Sequence, residues 1–143
     1  MTYEGACHCG SIMVWFETRQ APDDVQVRGD QCSFCRRQGA KSVSDPKGWL
    51  EFRAAPGSLR RYRFGLKSAD FLLCRECGTY MGAVATIGEH TLGVLNVTGA
   101  DIRAFANRDA EPVDYDGDDL ASRNARRLER WTPCGVVEAN PDA

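Results

Sequence analysis

The chain alternates between apolar and polar positions in short bursts. Ile12, Val14 and Phe16 are interleaved with Ser11, Met13, Trp15 and Glu17. That period of two predicts a strand over 11–17 with one mainly apolar face. Ala21-Pro22-Asp23-Asp24 reads as a turn, and 25–27 as a short strand leading to a cysteine pair. Pro46 and Gly48 interrupt regular structure and predict a loop. Short strands are expected at 49–53, 58–64 and 69–73, the first two separated by Pro56-Gly57. Segments 80–87 and 91–97 flank Gly88-Glu89-His90 and read as a hairpin. No helical period of useful length occurs before residue 99.

The end of the chain has a different rhythm. Asp118 or Asp119 can cap a helix running to Trp131, with Leu120, Leu128 and Trp131 roughly on one face. Asp at its start and Arg at its end complement the helix dipole, and Pro133 stops it. Residues 138–143 are expected to fray. The expectation is a single, mainly β domain over 1–137 with a short C-terminal helix.

Composition sets outer limits. The 143 residues are 43% apolar and 27% charged, with a net charge of -2 and a pI near 5.7. This is a globular balance, and its acidity disfavours nucleic acid and anionic lipid as partners. No apolar run is long enough to cross a bilayer. The opening residues lack a basic stretch followed by an apolar one, so no secretory signal and a cytoplasmic location are expected.

Cysteine changes the picture. Six of seven cysteines form the clusters Cys7-His8-Cys9, Cys32-Ser33-Phe34-Cys35 and Cys74-Arg75-Glu76-Cys77, and Cys134 stands alone as a bystander, partly exposed. An odd count without a leader argues against a disulfide framework and for metal or redox chemistry. Cys74-x-x-Cys77-Gly78 has the form of a zinc knuckle, and Cys7-x-Cys9-Gly10 is a tighter clip. Together they supply the four thiolates of a closed structural zinc site. Spacing alone also allows Cys7, Cys9, Cys32 and Cys35 to share one ion. Asp30-x-Cys32-x-x-Cys35 supplies three ligands and leaves a fourth position open, the signature of a catalytic zinc.

Other signals are weaker. Cys32-x-x-Cys35 has the spacing of a thioredoxin-type dithiol, but neither a βαβ context nor a following helix is signalled. His8 reads as an exposed side chain. Arg36, Arg37 and Lys41 offer either a seat for a substrate carboxylate or a solvated basic turn. Arg60, Arg61 and Arg63, and Arg123, Arg126, Arg127 and Arg130, read as solvated faces rather than nucleic-acid sites. The acidic run 114–119 lacks the Gly and Glu positions of an EF-hand, and no Walker or Rossmann loop is present.

Cys7-His8-Cys9-Gly10, then Cys32-Ser33-x-Cys35-Arg36, then Phe71 leading to Cys74-x-x-Cys77-Gly78-Thr79, resembles the glutathione-dependent formaldehyde-activating enzyme family, also called the GFA or CENP-V domain. Asn96-Val97 before Gly99-Ala100-Asp101 is similar to that family's strand and turn beyond the last pair. The resemblance spans about residues 4 to 101. It implies an Mss4-like fold of small antiparallel sheets around a structural zinc held by Cys7, Cys9, Cys74 and Cys77. It further implies a second, catalytic zinc, with Cys32 and Cys35 matching two of its three thiolates. The sequence departs from the pattern at the third, where Asp30 replaces Cys. A carboxylate is also a zinc ligand of unit charge, so the formal charge of the set is unchanged. The implied activity is that of a carbon–sulfur lyase joining a small thiol such as glutathione to formaldehyde or another small aldehyde. The alternative is a protein- or nucleic-acid-binding module that keeps only the structural zinc.

Overall fold

The computed structural model describes residues 1–139. The period-two stretch forms strand β2 (Ile12–Glu17), with Ile12, Val14 and Phe16 fully buried and Met13 exposed. It lies between β1 (Thr2–Ala6) and β5 (Trp49–Ala54), antiparallel to both. Leu50 and Phe52 of β5 reach the same core. Between β2 and β5 come β3 (Arg28–Asp30), helix α1 (Ser33–Gln38) and the two-residue β4 (Ser42–Val43). A meander follows: β6 (Leu59–Tyr62), β7 (Asp70–Cys74), β8 (Tyr80–Ile87) and β9 (His90–Asn96), each antiparallel to the next. The chain closes with β10 (Glu111–Val113), helix α2 (Leu120–Arg130) and β11 (Thr132–Glu138).

Strand β11 joins the two halves. Its start pairs with β9 at Leu92 and Gly93, and its remainder runs parallel to β5 from Cys134↔Leu50 to Glu138↔Ala54. The path is β1-β2-β5-β11-β9-β4-β3-β10, with β8, β7 and β6 branching from β9. The fold is therefore mainly β with a short C-terminal helix, as expected. Two parallel pairings, β5 with β11 and β3 with β10, are added to the antiparallel ones. No helix among the described residues is long and apolar enough to cross a membrane.

Several local expectations need correction. The strand placed at 25–27 begins at Arg28, although Val25 and Val27 are buried. Helix α1 was not expected. It is one and a half turns long, too short for an apolar period to show. Asp119 caps α2 by accepting a hydrogen bond from the Ser122 N–H, as expected. Leu120 and Leu128, however, are 49% and 46% exposed, and the one buried side chain of α2 is Arg127. The inward face of α2 is polar because it covers a polar cavity. The helix ends at Arg130, before Pro133, which lies within β11, and the strand continues through Glu138, which pairs with Arg61. Residues 140–143 of the expected frayed tail lie outside the described residues.

Candidate metal centres

Two hairpin turns supply the first site. Cys7 and Cys9 lie between β1 and β2, whereas Cys74 ends β7 and Cys77 lies in the turn before β8. In each turn the glycine after the second cysteine takes a left-handed conformation that a side chain would strain, Gly10 at φ 84° and Gly78 at φ 78°. Each glycine N–H closes its turn on the first cysteine's carbonyl, Gly10 to Cys7 at 3.0 Å and Gly78 to Cys74 at 2.8 Å. The Ile12 N–H also points at the Cys7 sulfur, 3.3 Å away. Gly5 holds the first turn against the rest of the fold. A Cβ there would lie 2.4 Å from the Ala100 oxygen, and the neighbouring Ala6 N–H donates to that oxygen at 3.1 Å.

These turns bring four sulfurs within 4.8 Å of one another. Cys7 Sγ and Cys9 Sγ are 3.8 Å apart, and Cys9 Sγ and Cys74 Sγ 3.6 Å. A tetrahedral ion with bonds of about 2.3 Å to sulfur requires sulfur separations of about 3.8 Å. All four cysteines are free, and these separations are far too long for disulfides. Cys7 and Cys74 are buried, Cys77 is half-buried and Cys9 is exposed. Burial raises the Cys77 thiol, but hydrogen bonds from the Thr79 hydroxyl and from nearby backbone amides outweigh it and lower it to about 5. Burial pushes Cys74 up to about 12. The grouping of Cys7 and Cys9 with Cys32 and Cys35 is not the one formed.

The second site is assembled over six residues. Asp30 ends β3, and its Oδ1 accepts the Cys32 N–H at 2.9 Å. Cys32 caps α1, its sulfur accepting the Cys35 N–H at 3.3 Å. Gly39, at φ 60°, terminates the helix. One carboxylate oxygen and two sulfurs fall within 4.8 Å of one another. The hydrogen bond with the Cys35 thiol lowers Cys32 to about 7, against burial and the Asp30 charge. Its counterpart, Cys35, is raised by that same bond and by burial. Burial also raises Asp30, partly offset by the Cys32 N–H. Beneath α1, Phe34 packs edge-on against Phe71 and Tyr80 at ring separations of 5.0 Å, fixing the helix and its cysteines.

A cavity of about 90 Å³ opens onto Asp30, Cys32 and Cys35. Arg28, Tyr80, Tyr115, Arg126, Arg127 and Trp131 are among its walls. Sequence reasoning missed this wall. The α2 arginines read there as solvated, yet Arg127 is buried and Arg126 ion-pairs with Asp118 beside the cavity. Arg36 and Arg37 are exposed and do not line it, and Lys41 donates to the Arg108 carbonyl at 2.7 Å. Arg61 and Arg63 pair with Asp70 on a solvated face, as expected. His8 is exposed, also as expected. Cys134 is not partly exposed. It is buried on β11, where burial raises its thiol to about 12.

Comparison of the sequence with known protein families and with curated proteins finds no match. Among solved structures, a Rhodobacter sphaeroides protein is similar with a TM-score of 0.58 and 25% identity. The similarity covers 77% of this chain and 99% of the other. It supports the mainly β fold and leaves the chemistry to the two clusters themselves.

Proposed function

We propose that the protein is a zinc-dependent carbon–sulfur lyase of the thiol–aldehyde type. In this reading Cys7, Cys9, Cys74 and Cys77 hold a structural zinc, and Asp30, Cys32 and Cys35 hold a second. The observation that carries it is the contrast between the two sets. One is a four-sulfur group within 4.8 Å, two of whose separations, 3.6 and 3.8 Å, are near those a tetrahedral ion requires. The other is a three-donor group at a cavity wall, which leaves room for an incoming ligand. Zinc bound there supplies Lewis acidity and favours the thiolate form of an incoming thiol.

The chain's own residues do the rest. The α1 amide that donates to Cys32 holds that sulfur in place. Phe71 and Tyr80 pack against each other, ring centroids 5.8 Å apart, and form an apolar part of the cavity wall. A thiol and an aldehyde confined together react as if at high concentration. The substrate sulfur forms a bond to the aldehyde carbon. The carbonyl π pair moves to oxygen, which takes up the proton the thiol released. Glutathione and formaldehyde are the reactants the family resemblance implies. The test is the rate of hemithioacetal formation followed by NMR. Acceleration in the wild type, lost in Cys32→Ser, supports the lyase. Equal rates leave the zinc-binding module.

A second reading draws on α1. Cys32 caps that helix with a lowered thiol and stands three residues from a buried partner whose thiol is raised, an arrangement suited to dithiol–disulfide exchange. Reversible oxidation of Cys32 with Cys35 in the zinc-loaded protein would favour it over the lyase.

A further inference from the structure

Two arginines at this cavity are buried without an acidic partner. Arg28 is 8% and Arg127 6% exposed. Among the described residues, neither makes a salt bridge. Arg28 Nη2 donates to the Ser44 hydroxyl at 2.7 Å, and that hydroxyl in turn donates to the Arg130 carbonyl. Arg127 Nη1 donates to the Ser68 hydroxyl at 2.8 Å and faces its carbonyl at 3.3 Å. Arg127 Nε is buried and has no hydrogen-bond partner. The Trp131 ring lies against the guanidinium, its centroid 4.6 Å from Cζ.

Burying a cation without a counter-ion is costly, and an unpaired N–H adds to the cost. The acids on the same wall offset it only in part. The Asp30 charge favours both arginines from a distance but forms an ion pair with neither, its Oδ1 accepting the Cys32 N–H, and Asp116 is exposed and pairs with neither arginine. Arg126 is taken by Asp118 and stacks on Tyr115. Burial and the adjacent Arg123 and Arg126 pull Arg127 down to about 10, so it remains a cation at neutral pH. The site thus holds buried positive charge and one guanidinium N–H without a partner, in the wall of a cavity that also opens onto the three candidate metal ligands.

We infer that this cavity contains a carboxylate subsite formed by Arg127 and Arg28, so that the small substrate of the Asp30–Cys32–Cys35 centre carries a carboxylate. The fork of a guanidinium matches a planar carboxylate in two parallel hydrogen bonds. At about 90 Å³ the space is smaller than the roughly 150 Å³ of a cavity that takes benzene. It suits a two- or three-carbon acid, or the acidic end of a longer molecule that extends outward. The identity of the reactive group, thiol or aldehyde, rests on the reading proposed above. The charge of the substrate does not.

Calorimetric titration of the zinc-loaded protein with mercaptoacetate and with 2-mercaptoethanol separates the two. The expected result is at least tenfold tighter binding of mercaptoacetate. Arg127→Gln should abolish that preference with zinc content unchanged. Arg127→Lys keeps the charge but loses the fork, and should retain only part of it. In Cys32→Ser the preference for the anionic probe should persist, so loss of the lyase centre and loss of anion recognition read separately. Equal binding of both probes by the wild type overturns the inference. So does a preference that survives in both Arg127 variants. Tighter binding of inorganic phosphate than of mercaptoacetate overturns the carboxylate assignment.

Discussion

Stripping the four-cysteine site should come close to unfolding the protein. That site ties the turn after β1 to the turn after β7, and its sulfurs Cys9 and Cys74 are 65 residues apart in sequence. Structural zinc sites of this type contribute about 10–16 kcal/mol at neutral pH. The whole stability of a chain of 143 residues, at about 0.05–0.15 kcal/mol per residue, is about 7–20 kcal/mol. The two are of the same size, so removal of a zinc held there would cost a large part of the stability. Each kcal/mol lowers the melting temperature by about 3 °C in a domain of this length. Chelated, reduced protein should therefore melt at least 20 °C below the zinc-loaded form, or be unfolded at room temperature. Cys77→Ala, which leaves three sulfurs, should show a large part of the same loss. Circular dichroism melts, with metal content measured on the same samples, provide the assay. Metal-free protein melting within 5 °C of the loaded form would refute the reasoning, because the sulfurs would then converge without an ion to hold them.

Other outcomes follow from the second site and its supports. In protein that keeps the four-cysteine site loaded but has the second site empty, iodoacetamide should alkylate Cys32 with a midpoint near pH 7, since its thiol is lowered to about 7 and only the thiolate reacts. Cys35, raised and buried, should stay unreactive across that range, and a Cys32 midpoint near 9 would remove the hydrogen bond invoked for it. Asp30→Cys should bind the second zinc more tightly than the wild type in a competition titration, because a third thiolate suits zinc better than a carboxylate. Gly5→Ala should cost about 1–3 kcal/mol in urea unfolding, since its Cβ would press on the Ala100 oxygen.

The sequence made the strands with alternating patterns legible. β2 and β8 fall where the alternation and the hairpin turn place them. The Cys7–Cys9 and Cys74–Cys77 turns were legible too, because short spacing followed by glycine constrains a turn locally, but which pairs share a site was not legible from spacing. What escaped depended on tertiary contacts. β11 is a strand because β5 and β9 supply partners on either side, not because of its own pattern. β4 and β10 are two and three residues long and carry no period. The cavity wall escaped for a related reason. An arginine on a short helix reads as solvated unless the surface it meets is known, and Arg127 meets Ser68, 59 residues away.

The central claim is that two distinct metal-binding groups exist, one closed and one open. Elemental analysis of protein purified without chelator tests it most directly. The account predicts two zinc ions per chain, falling to one in Asp30→Ala while the fold is retained. One ion per chain in both proteins, with Cys32 and Cys35 freely titratable by a thiol reagent, would contradict it.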